Sequence, residues 1–322
     1  MKTVANLGAV LAALGAWSAP SFAQTYPSKP VRIISAYAPG GPNDVVVRPI
    51  AESLSKSMGQ QFIVENRPGA NGNIGAQEAA RANPDGYTLL FGTISQLSIN
   101  PAIYSMPFDS IKDFSPIVLI SLVPGALVVN ASSPMKSVKD LVAAAKASPG
   151  KLTYSSAGNG SQNHLAGELF ALLTKTKLVH VPYKGGGPAL TAVLAGEVDM
   201  IIQSPSVGLA QVRAGKLKVL MVSSPKRMSV LPDAPTNEEA GLPDFRSRAG
   251  NGMLAPVKTP RPIIDRLNVE ITRYLNSPEG RKYFANQGVD LYPGTPEEFG
   301  RLLQDELTRW ATVVKAAGIK VD

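Results

Sequence analysis

The chain has 322 residues, a formal net charge of +8 and no cysteine. A chain of that length can bury a core large enough to fold unaided, and the missing cysteine excludes both a disulfide framework and a thiolate metal site. Lys and Arg are scattered singly or in pairs such as Lys226-Arg227, with no basic run interleaved with aromatics. That pattern argues against a nucleic-acid partner and leaves a mild bias toward anionic small molecules.

In chain order, the first element is an export signal. Lys2, the apolar run 7–17 and the small-x-small site Ser21-Phe22-Ala23 predict cleavage before Gln24 and a periplasmic address. Cleavage removes Lys2 and lowers the charge by one. The apolar run is too short to span a bilayer, and no cysteine follows the cut to carry a lipid. Apolar, largely β-branched segments then predict strands at 31–36, 61–65, 88–91, 117–122, 127–130, 152–155, 179–182, 198–202 and 217–222. The apolar stretch 117–129 is broken by Pro124-Gly125 and reads as two buried strands around a turn, not as a membrane segment.

Helices lie between the strands. The alanine-rich stretch 135–147 stops at Ser148-Pro149-Gly150, and 161–175 sets Leu165, Leu169, Leu172 and Leu173 on one stripe. From about Pro262 the chain is mainly helical. The last helix opens with Thr295 as cap, Pro296 at its first position and Glu298 three residues after the cap. This alternation predicts an α/β fold with largely parallel sheets. The length favours two domains, and with no Ser/Gly linker the chain must pass between them by ordinary strands.

Three small-residue turns follow strands and precede helices: "APGGPND" (38–44), "SAGNGS" (156–161) and "YKGGG" (183–187). Free backbone N–H groups and the positive end of a helix converge at such turns, so each can hold an anion. Nucleotide chemistry is excluded by their sequences. None has the P-loop lysine, and G-x-G-x-x-G begins at Gly158 and Gly160 but meets Asn163 in its third glycine place. There is no G-x-S-x-G elbow. His164 and His180 are the only histidines and lack metal-site spacing. His164 reads either as a residue completing its helix start or as a ligand or interdomain contact. His180 alternates with Val179 and Val181 and points to the opposite face from them. No catalytic constellation, metal site or cofactor site is predicted.

Taken together, "APGGPND", "ENRPGANGNIGA" (65–76), "SAGNGSQNHLAGELF" (156–170), "VPYKGGGPAL" (181–190), "GEVDMII" (196–202) and "LPDAPTNEEAGLP" (231–243) resemble the receptors of tripartite tricarboxylate transporters, the Bug family. The resemblance spans nearly the whole mature chain in order. It implies a two-domain α/β periplasmic binding protein of type II (Venus-flytrap) with a hinged cleft. Domain 1 would be 24–123 with 250–322, and domain 2 would be 124–249. It also implies no catalysis, a small di- or tricarboxylate ligand, aromatic ones included, and delivery by a monomer to membrane permease subunits. A ligand sensor docking on a membrane signalling protein is the alternative role, and a secreted enzyme the second alternative.

The family's ligand carboxylate is held mainly by backbone N–H groups, small hydroxyls and waters. Carried over, the first domain offers Tyr37, Pro39, Gly40, Gly41, Asn43 and Asp44, with Thr93 and Ser95 from a second loop. The second domain offers Ser156, Ala157, Gly158, Asn159, Gly160 and Ser161, then Tyr183, Lys184 and Gly185, with Ser204 nearby. Asp44 reads equally as a helix-start cap, Lys184 as a solvated charge and Tyr37 as a core residue. Two departures stand out. Asn43 replaces the usual Ser or Thr, and Gly250 stands where a tryptophan is common. The missing indole predicts a cleft that is roomier or differently shaped, for an aromatic or longer dicarboxylate.

Overall fold

A computed structural model describes residues 26–319; the predicted export segment 1–23 lies outside the described residues. Elements follow in chain order: β1 (Val31–Ser35), α1 (Pro42–Met58), β2 (Phe62–Asn66), α2 (Asn73–Ala80), β3 (Thr88–Thr93), α3 (Ile94–Ser98), α4 (Asn100–Ile103) and β4 (Phe114–Pro124). After Gly125 come β5 (Ala126–Asn130), α5 (Val138–Ala147), β6 (Thr153–Ser156), α6 (Gln162–Thr174), β7 (Val179–Pro182), α7 (Gly186–Ala195), β8 (Met200–Gln203), α8 (Leu209–Arg213) and β9 (Leu217–Val222). The chain ends with β10 (Arg248–Pro256), α9 (Arg261–Asn276), α10 (Pro278–Asn286), β11 (Leu291–Gly294) and α11 (Pro296–Ala317). Among the described residues, no helix is long and apolar enough to cross a membrane.

Two sheets result, ordered β11-β4-β10-β3-β1-β2 and β7-β6-β8-β5-β9. Both are mixed, which corrects the expectation of largely parallel sheets. Only β1 with β2 and β3, and β6 with β7 and β8, run parallel. The antiparallel pairings fall where the chain changes sheets. β4 and β5 are separated only by Gly125, yet β4 pairs with β10 in one sheet and β5 with β8 and β9 in the other. The apolar stretch at 117–129 is therefore two buried strands, as expected, but they run on into separate sheets instead of folding back.

Strands β10 and β11 were not foreseen. The run "RAGNGMLAP" carries glycines and Asn251 where strands favour bulky residues. Packing requires those glycines: a Cβ on Gly250 would stand 2.3 Å from the Ser121 carbonyl oxygen, and one on Gly252 2.5 Å from the Phe299 ring. In β11 the sequence "LYPG" places Pro293 on a sheet edge, where a missing N–H is tolerated.

Helices cover both faces of each sheet. Val47, Ile50 and Leu54 of α1 pack with Leu267, Ile271 and Leu275 of α9 on one face of the larger sheet. Ala76 and Ala79 of α2, Ile94 and Leu97 of α3, and Phe299 and Leu303 of α11 fill the other. On the smaller sheet, α5, α6 and the end of α11 (Trp310, Val313, Val314) share one face, and Ala189, Leu190 and Val193 of α7 cover the opposite one. Each such buried Leu, Val or Phe contributes about 1.5–3 kcal/mol. On α6 the stripe is narrower than predicted: Leu165 and Leu169 are buried, but Leu172 is 42% exposed.

Candidate functional site

In the larger sheet β1 lies between β2 and β3. The chain leaving β1 passes to α1 on one face, whereas the chain leaving β3 passes to α3 on the other. Such a divergence opens a crevice at the carboxyl ends of the strands, the usual ligand position in an α/β sheet. The smaller sheet repeats the device. From neighbouring parallel strands, β6 leads to α6 on one face and β7 to α7 on the other. The predicted site residues fall at the carboxyl ends of β3 and β6, on the loops that follow β1, β6, β7 and β8, or in the first turns of α1 and α3.

In the first crevice, Tyr37 leaves β1 and its hydroxyl meets the Thr93 hydroxyl at 3.0 Å, spanning the gap. Burial pushes the Tyr37 phenol up, only partly offset by Thr93, so it stays protonated. Thr93 also caps α3 by accepting from the Gln96 N–H at 3.1 Å. Pro39 and Gly40 form an exposed rim, with Gly40 at φ +79° and open space where its side chain would be. Gly41 starts α1 with no side-chain cap, followed by Pro42 and the half-buried Asn43. Pro42 has no N–H and the Asp44 N–H donates to the Gly41 carbonyl at 3.0 Å, so in this first turn the Asn43 N–H is the one left for another acceptor.

Asp44 is bonded to its own loop and to its neighbours. Its carboxylate accepts from the Gly40 N–H at 2.8 Å, the Asn66 amide at 2.9 Å and Arg48 at 3.0 Å. Burial alone would raise its pKa, but those donors outweigh it and hold the carboxyl below its ordinary value. Asp44 therefore orders the loop with its charge already compensated. Asn66, at the end of β2, also donates to the Tyr37 carbonyl at 2.9 Å and ties the loop to its strand. Sequence reading missed Asn66, although it sits in the quoted "ENRPGANG" motif.

In the second crevice the buried Ser156 is likewise committed. Its hydroxyl accepts from the Gly158 N–H at 3.1 Å and meets His180 Nε2 at 2.6 Å. Ala157, Gly158, Asn159 and Gly160 curve away with Gly158 at φ +127°, and Ser161 caps α6 by accepting from the His164 N–H at 3.3 Å. The His164 side chain completes that start: Nδ1 accepts from the Gly160 N–H at 3.1 Å. Its ring stacks on His180 at 3.8 Å, and Tyr154 stacks on His180 at 5.0 Å. The Tyr154 hydroxyl meets Glu168 at 2.5 Å. Tyr183 pairs its N–H with the Ser156 carbonyl at 2.9 Å, Lys184 is exposed, and Gly185 at φ +115° starts α7 with no side-chain cap. Ser204, beyond β8, meets Ser206 at 2.8 Å.

At Gly250 a would-be Cβ stands 2.3 Å from the Ser121 carbonyl oxygen and 2.8 Å from Ile94 Cδ1, so neighbouring atoms occupy the place where an indole would start. Three further amide side chains at the site escaped sequence reading. Gln162 touches Ser95 Oγ at 3.5 Å across the crevices, Asn163 donates to the Ile202 carbonyl at 2.7 Å, and Gln203 ends β8 beside α7. Among the described residues no cluster of three metal-ligating side chains exists. The uncapped start of α7, with the Gly186 and Gly187 N–H groups, is of the kind that can hold an anion.

A family model described as the tripartite tricarboxylate transporter family receptor matches residues 46–319. The chain belongs to that family. Solved relatives share its fold. A tripartite tricarboxylate solute-binding protein from Polaromonas, solved without ligand, is 28% identical with a TM-score of 0.85, covering 91% of this chain and 100% of that one. A Rhodopseudomonas palustris protein solved with adipate is 34% identical with a TM-score of 0.71, covering 92% and 99%. MatC of Rhodopseudomonas palustris, with bound malate, is 32% identical with a TM-score of 0.69, covering 90% and 100%. This receptor is thus a two-domain α/β periplasmic binding protein.

Proposed function

We propose that this receptor captures a small carboxylate between its two α/β halves in the periplasm and hands it, as a monomer, to the membrane subunits of a tripartite transporter, without catalysis. One observation carries the reading. Each half presents a helix whose start has no side-chain cap, α1 after Gly41 and α7 after Gly185, at the crevice of its sheet. An anion seated there receives free N–H groups and the favourable end of each helix dipole. Hydrogen bonds to a charged group contribute about 1.5–3 kcal/mol each, so a few suffice for tight binding. The relatives' ligands, adipate and malate, are both small carboxylates. Cleavage before Gln24, and a division into 24–123 with 250–322 against 124–249, belong to the same proposal.

The experiment is a thermal-shift screen of the mature protein after unfolding and refolding to strip carried ligand. The panel holds aliphatic and aromatic mono-, di- and tricarboxylates, amino acids, nucleotides and phosphate. Ligand at about a hundred times its Kd adds roughly 2.7 kcal/mol, or a few degrees in Tm. A shift confined to one carboxylate class is expected. A shift with phosphate or nucleotides alone, or none with any carboxylate, overturns the proposal.

A further inference from the structure

Asn159-Gly160, in the loop between β6 and α6, is one of three Asn-Gly pairs in the sequence, with Asn71-Gly72 and Asn251-Gly252. In such a pair the glycine nitrogen can attack the asparagine side chain, because no Cβ on the glycine obstructs the five-membered ring that forms. The fold treats the three pairs differently. The Gly72 N–H donates to the Gly69 carbonyl at 2.9 Å, and the Asn71 amide donates to the Tyr104 hydroxyl at 2.9 Å. Asn251 and Gly252 lie in β10, paired on both sides, and Asn251 Oδ1 accepts from Ser121 Oγ at 3.1 Å. Asn159 is exposed between two glycines of positive φ, and its side chain has no hydrogen-bond partner among the described residues. The Gly160 N–H is also the one that meets a base: it donates to His164 Nδ1 at 3.1 Å. With Nδ1 accepting, the ring proton is on Nε2, which lies 4.0 Å from Glu168 Oε1. A nitrogen nucleophile, an imidazole and a carboxylate therefore follow one another, as nucleophile, base and supporting acid do in acyl transfer.

We propose that Asn159 is a self-modification site, deamidated by the Gly160 nitrogen with His164 Nδ1 as the base. His164 takes the Gly160 N–H proton as that nitrogen bonds to Asn159 Cγ. The proton then passes to the side-chain amide nitrogen, whose bond to Cγ breaks, and ammonia leaves behind a succinimide. Water opens the ring at either carbonyl and gives an aspartyl or isoaspartyl residue. Nothing is oxidised or reduced, and water is the only co-reactant. Burial holds His164 below its ordinary value, so that it is neutral and able to accept, while Glu168 favours the imidazolium that forms. The other groups facing the ring are His180 of β7, stacked at 3.8 Å, and Tyr154 of β6, at 6.4 Å. The product adds a negative charge to a loop of the second crevice, so an ageing receptor loses anion affinity without help from another enzyme. That loss rests on the carboxylate-receptor reading above, whereas the modification does not.

Peptide mapping by mass spectrometry tests this by following the gain of about 1 Da at each Asn-Gly pair while the mature protein is held at neutral pH. Asn159 is expected to convert at least about tenfold faster than Asn71 and Asn251, and faster in the folded protein than in urea. His164→Gln keeps an oxygen that can accept the Gly160 N–H but cannot carry its proton, and should slow Asn159 about tenfold or more. The wild-type rate should level off with pH once the imidazole is neutral, whereas the variant's should keep rising with hydroxide. Glu168→Gln should slow Asn159 less than His164→Gln, and with the pH profile it decides the matter if His164→Gln does not fold. Equal rates at the three pairs, slower conversion folded than in urea, or unchanged rates in the variants overturn the proposal. A faster rate in His164→Gln overturns it too, since the imidazole would then only hold the loop still. Calorimetry with adipate reads the consequence: aged protein and Asn159→Asp should bind about tenfold more weakly than fresh wild type. Equal binding by fresh and aged protein overturns the loss of affinity alone. Fresh protein that binds no carboxylate overturns the receptor reading, and the masses still decide the modification.

Discussion

Asp44 puts a negative charge at the mouth of a site proposed for anions, and its partners show why that is tolerated. With Gly40, Asn66 and Arg48 around it, the carboxylate belongs to the loop and offers little repulsion to a ligand. The stacked His164 and His180 support the second loop in a way that depends on staying neutral. Burial, and Glu168 pulling the opposite way, leave His164 below its ordinary value. Burial and then the neighbouring His164 push His180 down to about 4. The unfolded chain, with imidazoles near pKa 6.5, then binds more protons than the folded one from about pH 6.5 down to about 4. Stability is therefore full above that window and falls on acidification through it. Tm measured against pH should fall across it in the wild type and less steeply in His180→Gln, whose amide can still meet Ser156. An imidazole C2–H resonance titrating near 6.5 for His180 would refute this. At this scale the sequence showed which loops line the crevices but not which side chains are already committed. Ser156 meets His180 across 24 residues, and such pairings leave no trace in local residue type.

The element that most departs from local reading is α11. Its start was legible: Thr295 accepts from the Glu298 N–H at 3.2 Å while the Glu298 carboxylate accepts from the Thr295 N–H at 2.8 Å. Its packing was not. Phe299 and Leu303 sit in the core of the larger sheet, and Trp310, Val313 and Val314 in that of the smaller. Amphipathic spacing shows that a helix has an apolar face but not that the face spans two cores. Strands rich in Val and Ile were equally legible, whereas β10 was hidden by glycines that only its neighbours explain. Because α11 ties the cores, Trp310→Ala should cost about 3–5 kcal/mol through the cavity it leaves. It also strips the buried Glu306 of its Nε1–H donor at 2.8 Å. Denaturant unfolding followed by far-UV circular dichroism and tyrosine fluorescence should show one transition at lower midpoint. A variant in which only the smaller-sheet half melts early would show that α11 does not couple the two.

Across the whole molecule the halves are joined where β4 passes into β5 and where the chain returns to β10. These crossings lie side by side: the Gly125 N–H donates to the Ser247 carbonyl at 2.8 Å, and the Ser223 N–H to the Gly125 carbonyl at 2.8 Å. The facing loops meet at Ser95 and Gln162, 3.5 Å apart. A ligand that touches both α1 and α7 binds the closed form better and can shift the equilibrium only by that difference. Small-angle scattering should therefore show the radius of gyration fall when a carboxylate that binds, such as adipate, saturates the protein. Hexanoate, which can engage one helix start at a time, should compact it less at equal occupancy. If saturation leaves the scattering profile unchanged, the ligand does not draw the halves together and the bridging geometry is wrong. A profile that contracts equally with both acids would place the driving contact on a single carboxylate.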